Sequence, residues 1–185
     1  MPRVFIALQT PSFLQQALEE VRSLFEPLPI ALRWVSPSNL HATLKFLGDV
    51  PEVKLDSVFS AVTDAAAGQG PFVLQARALG CFPSATRPRV LWMGLDDPHN
   101  NLRHVHQKLD SALTDAGFSP EEHQFHPHLT LARIRRPLSC PPFKALLATY
   151  QTRCFGEIKV DKIDVFQSQL QPTGSIYSVL HTVLL

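Results

Sequence analysis

Three features of the 185-residue chain predict an α+β fold with antiparallel sheets, built as a pseudo-symmetric pair of lobes around a central cleft. Strand-like and helix-like segments alternate, yet the strands mix polar with apolar residues instead of showing the long apolar runs of a doubly covered parallel sheet. His41-Ala42-Thr43-Leu44 and His128-Leu129-Thr130-Leu131 are one phrase, His-x-Thr-Leu, written twice and 87 positions apart. No linker rich in Pro, Gly and Ser divides the copies, and neither a Gly-rich phosphate loop nor a dinucleotide fingerprint is present. One unit over residues 1–185, descended from an internal duplication, is the expected organisation.

The elements follow in order. Residues 4–8 read as a buried strand. Thr10-Pro11 offers an N-cap with proline at the first helical position, and Phe13, Leu14, Ala17, Leu18, Val21, Leu24 and Phe25 recur at helical spacing until Pro27 and Pro29. Arg33-Trp34-Val35 is a short strand, Pro37-Ser38-Asn39 a turn, and residues 40–47 the strand of the first motif, closed by Gly48-Asp49 and Pro51. A helix is expected over residues 53–67, then strands over 72–79 and 90–95 joined by a loop with Arg87, Pro88 and Arg89. Leu102, Val105, Leu109 and Leu113 mark a helix between Pro98 and Gly117. Residues 125–134 hold the second motif, a short helix spans 143–150, and strands at 154–160, 163–167 and 176–184 complete the chain.

Composition narrows the function. With 45% hydrophobic and 18% charged residues the chain can bury a sizeable core, which excludes disorder. A net charge of +1, from 17 basic and 16 acidic residues, excludes the strongly basic field of a duplex-binding domain, so any nucleic-acid contact is local. Cys81, Cys140 and Cys154 are too scattered for a disulfide framework or a cysteine zinc site and read as reduced thiols. No targeting leader opens the sequence and no run is long enough to span a bilayer. A cytoplasmic monomer without membrane contact is expected.

A His and a Thr two positions apart on a strand share a face, roughly 7 Å apart. Two such strands side by side gather two imidazoles and two hydroxyls around one small space. Histidine gives or takes a proton near neutrality, and the hydroxyls of Thr43 and Thr130 can hold an anion without adding charge. This is the equipment of acid–base phosphodiester chemistry. One copy alone would read as a half-buried structural histidine, and β propensity alone would explain a threonine; the repetition favours function.

The flanking residues are less decided. Lys45 has the parity of His41 and Thr43, so it lines the cleft or else is a solvated strand-end lysine. Arg133 has the opposite parity to His128 and reaches the cleft only through a bulge or the strand's end. Arg135 and Arg136 read as a solvated basic edge. Phe46, Trp34, Trp92 and Tyr177 are candidates for stacking on a base or for core packing. His104 and His106 fall on different sides of a helix. His126 shares a strand face with His128, and His123 is near, but no carboxylate or cysteine stands at a familiar metal-ligand spacing. No metal or other cofactor is expected.

With Trp34-Val35, Asn39-Leu40-His41-Ala42-Thr43-Leu44-Lys45-Phe46-Leu47-Gly48, the Arg-Pro-Arg-Val-Leu-Trp stretch at 87–92, and Phe125-His126-Pro127-His128-Leu129-Thr130-Leu131-Ala132-Arg133, the chain resembles the two-histidine phosphoesterases. Within them it is similar to the bacterial RNA 2′,3′-cyclic phosphodiesterase branch, also called 2′-5′ RNA ligase-like. The resemblance implies a bilobal fold with an antiparallel sheet in each lobe, helices on the outer faces and one motif strand from each lobe lining the cleft. It implies metal-independent hydrolysis of RNA-terminal or nucleoside 2′,3′-cyclic phosphates to 2′-phosphomonoesters, with weak reverse 2′-5′ joining. By the resemblance His41 is the proton donor and His128 the proton acceptor, an assignment the residues by themselves leave open. Thr43, Thr130, Phe46 and Arg133 match substrate-binding positions. A non-catalytic module that binds RNA ends is the alternative.

Overall fold

A computed structural model describes residues 1–135, 140–172 and 174–185. Its elements run β1 (Arg3–Gln9), α1 (Phe13–Phe25), β2 (Leu32–Trp34), β3 (His41–Asp49), α2 (Leu55–Ala66), β4 (Phe72–Phe82), β5 (Val90–Asp96), α3 (Asn101–Asp115), β6 (His128–Ile134), α4 (Pro141–Thr149), β7 (Cys154–Val160), β8 (Lys162–Gln171) and β9 (Gly174–Leu184). The strands form one antiparallel sheet in the order β7-β4-β5-β6-β3-β1-β8-β9, with β2 added to β6. Two four-stranded halves meet where β3 touches β6, and there the register consists of a single pair, Ala42 opposite Leu129. Exchanging β3 with β6, β1 with β5, β8 with β4 and β9 with β7 maps one half on the other. This is the predicted pseudo-two-fold, with the two sheets fused edge to edge.

One face of the sheet carries the helices. Val4, Ile6 and Leu8 of β1 point to that face, while Phe5 and Ala7 point to the other, where they meet Phe166 and Tyr177. Helix α1 buries Leu14, Ala17, Leu18, Val21 and Phe25 on one stripe, and Phe25 meets Phe143 of α4 edge-on at 5.5 Å between centroids. Phe13 lies over Gly156 of β7, so α1 follows β1 in sequence but packs on the opposite half. Helices α2 and α3 pack together, α2 over β8 and β9 and α3 against β3. No helix among the described residues is long and apolar enough to cross a membrane.

Three local expectations change. Thr10 does not cap α1, whose N-cap position is Ser12; its hydroxyl donates to Leu40 O at 2.8 Å and ties the start of the helix to the residue before His41. The second motif strand begins at His128, because Pro127 has no N–H to give a ladder, although its carbonyl still accepts from Leu95 N at 3.0 Å. The final hairpin is longer than its polar sequence suggests, since β9 is an edge strand with one side open to solvent. Arg136 lies outside the described residues.

Gly80 stands directly opposite Trp92, and a Cβ there would overlap the indole ring. Gly80→Ala is therefore expected to cost about 1–3 kcal/mol through overpacking, seen as a lower urea midpoint at unchanged m.

Candidate active site

The seam between β3 and β6 sets the site. Ala42 and Leu129 are buried toward the helices, so their neighbours His41, Thr43, His128 and Thr130 turn to the opposite face. All four are half-buried. Moving one residue along the antiparallel register from Ala42–Leu129 sets His41 across from Thr130 and Thr43 across from His128. The expected pairing of two imidazoles with two hydroxyls is therefore present, each histidine facing the other motif's threonine.

Both imidazoles are held by the same local device. His41 Nδ1 lies 2.7 Å from Asn39 O, and His128 Nδ1 lies 2.6 Å from His126 O. A carbonyl only accepts, so Nδ1 carries the proton in each ring and Nε2 is left to exchange one. Aromatic rings fix the planes. His41 packs against Phe5 at 4.9 Å and edge-on to Tyr177 at 5.3 Å. His128 packs edge-on to Phe82 at 5.1 Å, with Trp92 at 6.4 Å. Burial lowers the pKa of both histidines below the ordinary 6.5, the carbonyl bonds oppose that shift, and a positive charge on His128 would lower His41 further.

A matched pair of bulges completes the geometry. Along β1, Ala7 opposes Thr43 and Ile6 opposes Lys45, so Leu44 is skipped. Along β5, Trp92 opposes Thr130 and Leu91 opposes Ala132, so Leu131 is skipped. The extra residue is thus the leucine of His-x-Thr-Leu in both strands, and beyond it every side chain changes face. Arg133, placed on the wrong face by simple parity, is returned to the histidine face and is exposed. Phe46 joins it from the other strand, 53% exposed, stacked on Phe5 at 5.4 Å with the Arg3 guanidinium 6.0 Å away.

The same bulge corrects the expectation for Lys45. It does not line the cleft. It is only 6% exposed, on the helix side, with Nζ 2.7 Å from Asp110 Oδ1 and 3.4 Å from Glu121 Oε2. Asp110 also accepts the Glu121 N–H at 3.0 and 3.3 Å, so β3, α3 and the segment leading to β6 share one ionic knot. Neither acid carries a local sequence signal, because their partner lies far along the chain.

The aromatic candidates divide. Tyr177 and Phe46 face the cleft, Trp92 sits beside His128, and Trp34 packs against the core. Phe5 and Phe82, which support the two catalytic candidates, escaped sequence reasoning because they read as ordinary strand hydrophobics. His104 is exposed while His106 is buried and stacked on Phe125 at 3.9 Å. Among the described residues no three His, Cys, Asp or Glu side chains group as metal ligands. Beside His41 opens a recess lined by Phe5, Gln9, Gln15, Asn39, Phe166 and Tyr177.

Two carbonyl-anchored imidazoles across a two-fold seam, each opposite a hydroxyl, define a two-histidine phosphoesterase. Comparison with known proteins agrees. The profile of the LigT like Phosphoesterase family matches residues 8–92 and 94–177, and the chain belongs to that family. It is 31% identical over 176 residues, 95% of either chain, to the RNA 2′,3′-cyclic phosphodiesterase of Methanothermobacter thermautotrophicus. It is 32% identical to the protein of the same name from Aquifex aeolicus, covering 96% of this chain and 94% of that one. A crystal structure of a Thermus thermophilus protein superposes with a TM-score of 0.81 at 29% identity, over 99% of this chain and 97% of the other.

Two stability effects are expected. Lys45→Met leaves Asp110 and Glu121 without their cation and should cost about 1–3 kcal/mol, between the exposed and fully buried limits for an ion pair, read as a fall in urea midpoint. His41, His106 and His128 all have folded pKa values lowered by burial. The unfolded chain then binds more protons, so stability is full above the ordinary 6.5 and declines as pH falls through the folded values. Urea midpoints across that range should drop on acidification, and less steeply in His106→Gln.

Proposed function

We propose that the protein hydrolyses the 2′,3′-cyclic phosphate of RNA ends and of nucleosides to a 2′-phosphomonoester, as a cytoplasmic monomer. The observation that carries this reading is the pair of Nδ1-anchored imidazoles gathered at the seam, each across from the other motif's threonine. The relatives that align over nearly the whole chain carry the corresponding name.

The chemistry follows from the geometry. With the cyclic phosphate over the seam, His128 Nε2 takes a proton from water as its oxygen bonds to phosphorus. The bond from phosphorus to O3′ breaks, and His41 Nε2–H supplies the proton that the ribose oxygen gains. His128 ends protonated and His41 neutral, and exchange with solvent restores both. Thr43 and Thr130 stand at opposite corners of this arrangement, where their hydroxyls donate to the non-bridging oxygens as charge gathers on them. Arg133 brings positive charge to the face, and Phe46 offers an apolar platform. With a 5′-hydroxyl in place of water, the same groups join the cyclic phosphate end through a 2′-5′ bond: the hydroxyl oxygen bonds to phosphorus as the bond to O3′ breaks, a reaction that abundant water keeps minor.

The rate needs His41 protonated and His128 neutral. It falls on the alkaline side as His41 loses its proton and on the acid side as His128 gains one. Because burial lowers both values, the maximum of kcat/KM should lie below the ordinary imidazole pKa of 6.5. His41→Ala and His128→Ala should each lower kcat/KM by about 10²–10⁴-fold, while EDTA leaves the wild-type rate unchanged. The test is hydrolysis of a 2′,3′-cyclic mononucleotide followed across pH, with the 2′- and 3′-phosphate products resolved. A flat profile from about pH 5 to 9 would refute the two-histidine mechanism, and tight product binding without turnover would make the protein an RNA-end binding module.

A further inference from the structure

We propose that Arg33, Arg133 and Arg135 form a docking rim for the RNA backbone, holding phosphodiesters on the 5′ side of the reacting end. The inference rests on the reading that His41 protonates the ribose oxygen.

Arg33 of β2 and Arg133 of β6 are direct cross-strand partners. Their neighbours Leu32, Trp34, Ala132 and Ile134 pack into the core, so both arginines turn to the cleft face, their Cα atoms about 4.5–5.5 Å apart. Arg135 follows two residues later with the parity of Arg133, its N–H bonded to Ala31 O at 3.1 Å. All three are exposed, and none takes part in an ion pair among the described residues. Like charges set directly opposite on a sheet are destabilising. In a chain of 17 basic and 16 acidic residues, three unneutralised arginines at one corner of the sheet are a local excess. Guanidinium groups suit phosphate because their planar fork can bind it bidentately.

Position selects the anion. Strand β3 begins at His41; before it the chain turns through Pro37–Asn39, and β2 takes over as the neighbour of β6. The rim therefore begins where the cleft runs past His41. A 2′,3′-cyclic phosphate is the last group of its strand, so the rest of the RNA attaches only through the 5′ oxygen of that ribose. If the ribose oxygen leaves with a proton from His41, the ribose lies on His41's side, and the 5′ phosphodiester is directed to the arginines. A cyclic mononucleotide has no phosphate to place there.

Binding tests this without turnover. Fluorescence anisotropy would compare a 5′-labelled RNA of about five nucleotides ending in a 2′-phosphate with an unlabelled nucleoside 2′-phosphate as competitor, for wild type, Arg33→Gln and the Arg33→Gln/Arg135→Gln pair. The RNA should bind wild type more tightly, with a log–log salt slope steeper by about 0.7 for each phosphate engaged. The double variant should weaken RNA binding at least tenfold more than mononucleotide binding, and should melt no lower than wild type, since it relieves repulsion. Equal losses for both ligands, no loss for either, or wild-type binding that ignores the added phosphates would each overturn the rim. Absence of wild-type turnover of a cyclic mononucleotide instead overturns the hydrolytic reading, and the binding ratio still decides the rim.

Discussion

The structure depends on how little β3 and β6 are paired. A full ladder between these strands would make a flat, continuous sheet with no recess over its middle. With only Ala42 and Leu129 in register, the halves diverge on either side and leave a cleft above the joint. The bulges at Leu44 and Leu131 sharpen that divergence, since an extra residue bends its strand and increases the twist. The buried leucines on the helix side hold the bulged strands in place: Leu44 is 3% exposed and Leu131 fully buried. The motif His-x-Thr-Leu is thus as much a folding instruction as a chemical one. Its first and third residues face the cleft, and its fourth starts the displacement that brings in the residue five places after the histidine.

Holding an imidazole by a carbonyl two residues upstream makes each catalytic candidate local and cheap to preorganise. No distant acid is needed to choose the tautomer, because Asn39 O and His126 O accept from Nδ1. A carboxylate in their place would favour the imidazolium strongly, and both rings would then tend to charge together. The neutral carbonyl supports the ring while burial pulls the pKa down. That balance keeps one protonated and one neutral histidine accessible in the same small space.

The sequence made much of this legible because the information was local. Period and punctuation placed four helices and the motif strands, and the repeat identified His41, Thr43, His128 and Thr130. The errors share one physical origin. Strand parity assumes an unbroken ladder, so it set Lys45 in the cleft, which the bulge after Thr43 reverses, and it let Arg133 reach the cleft only through a bulge, which the extra residue after Thr130 supplies. Thr10 looked like a helix cap because its rivals for a hydrogen bond lay distant in sequence, and Leu40 O won. Asp110 and Glu121 were invisible for the same reason: they make sense only once β3 lies beside α3.

The frame is two-fold but its decoration is not, and this difference distinguishes the two ends of the cleft. The position that holds Phe46 in one half holds Arg133 in the other, and those of Lys45, Phe5 and Ala7 correspond to Ala132, Val90 and Trp92. His41 accordingly packs against Phe5 and Tyr177 beside a recess, while His128 packs against Phe82 with Trp92 farther off. A symmetric frame would bind a phosphodiester in two equivalent orientations, and either imidazole would then serve as acid. Here the recess lies beside His41 and the arginines of the proposed rim lie beyond it, whereas the other end carries the exposed Phe46 with the Arg3 guanidinium beside it. Binding energy gathered from groups remote from phosphorus would then select one orientation, and with the ribose on His41's side, as proposed, that histidine is the acid and His128 the base.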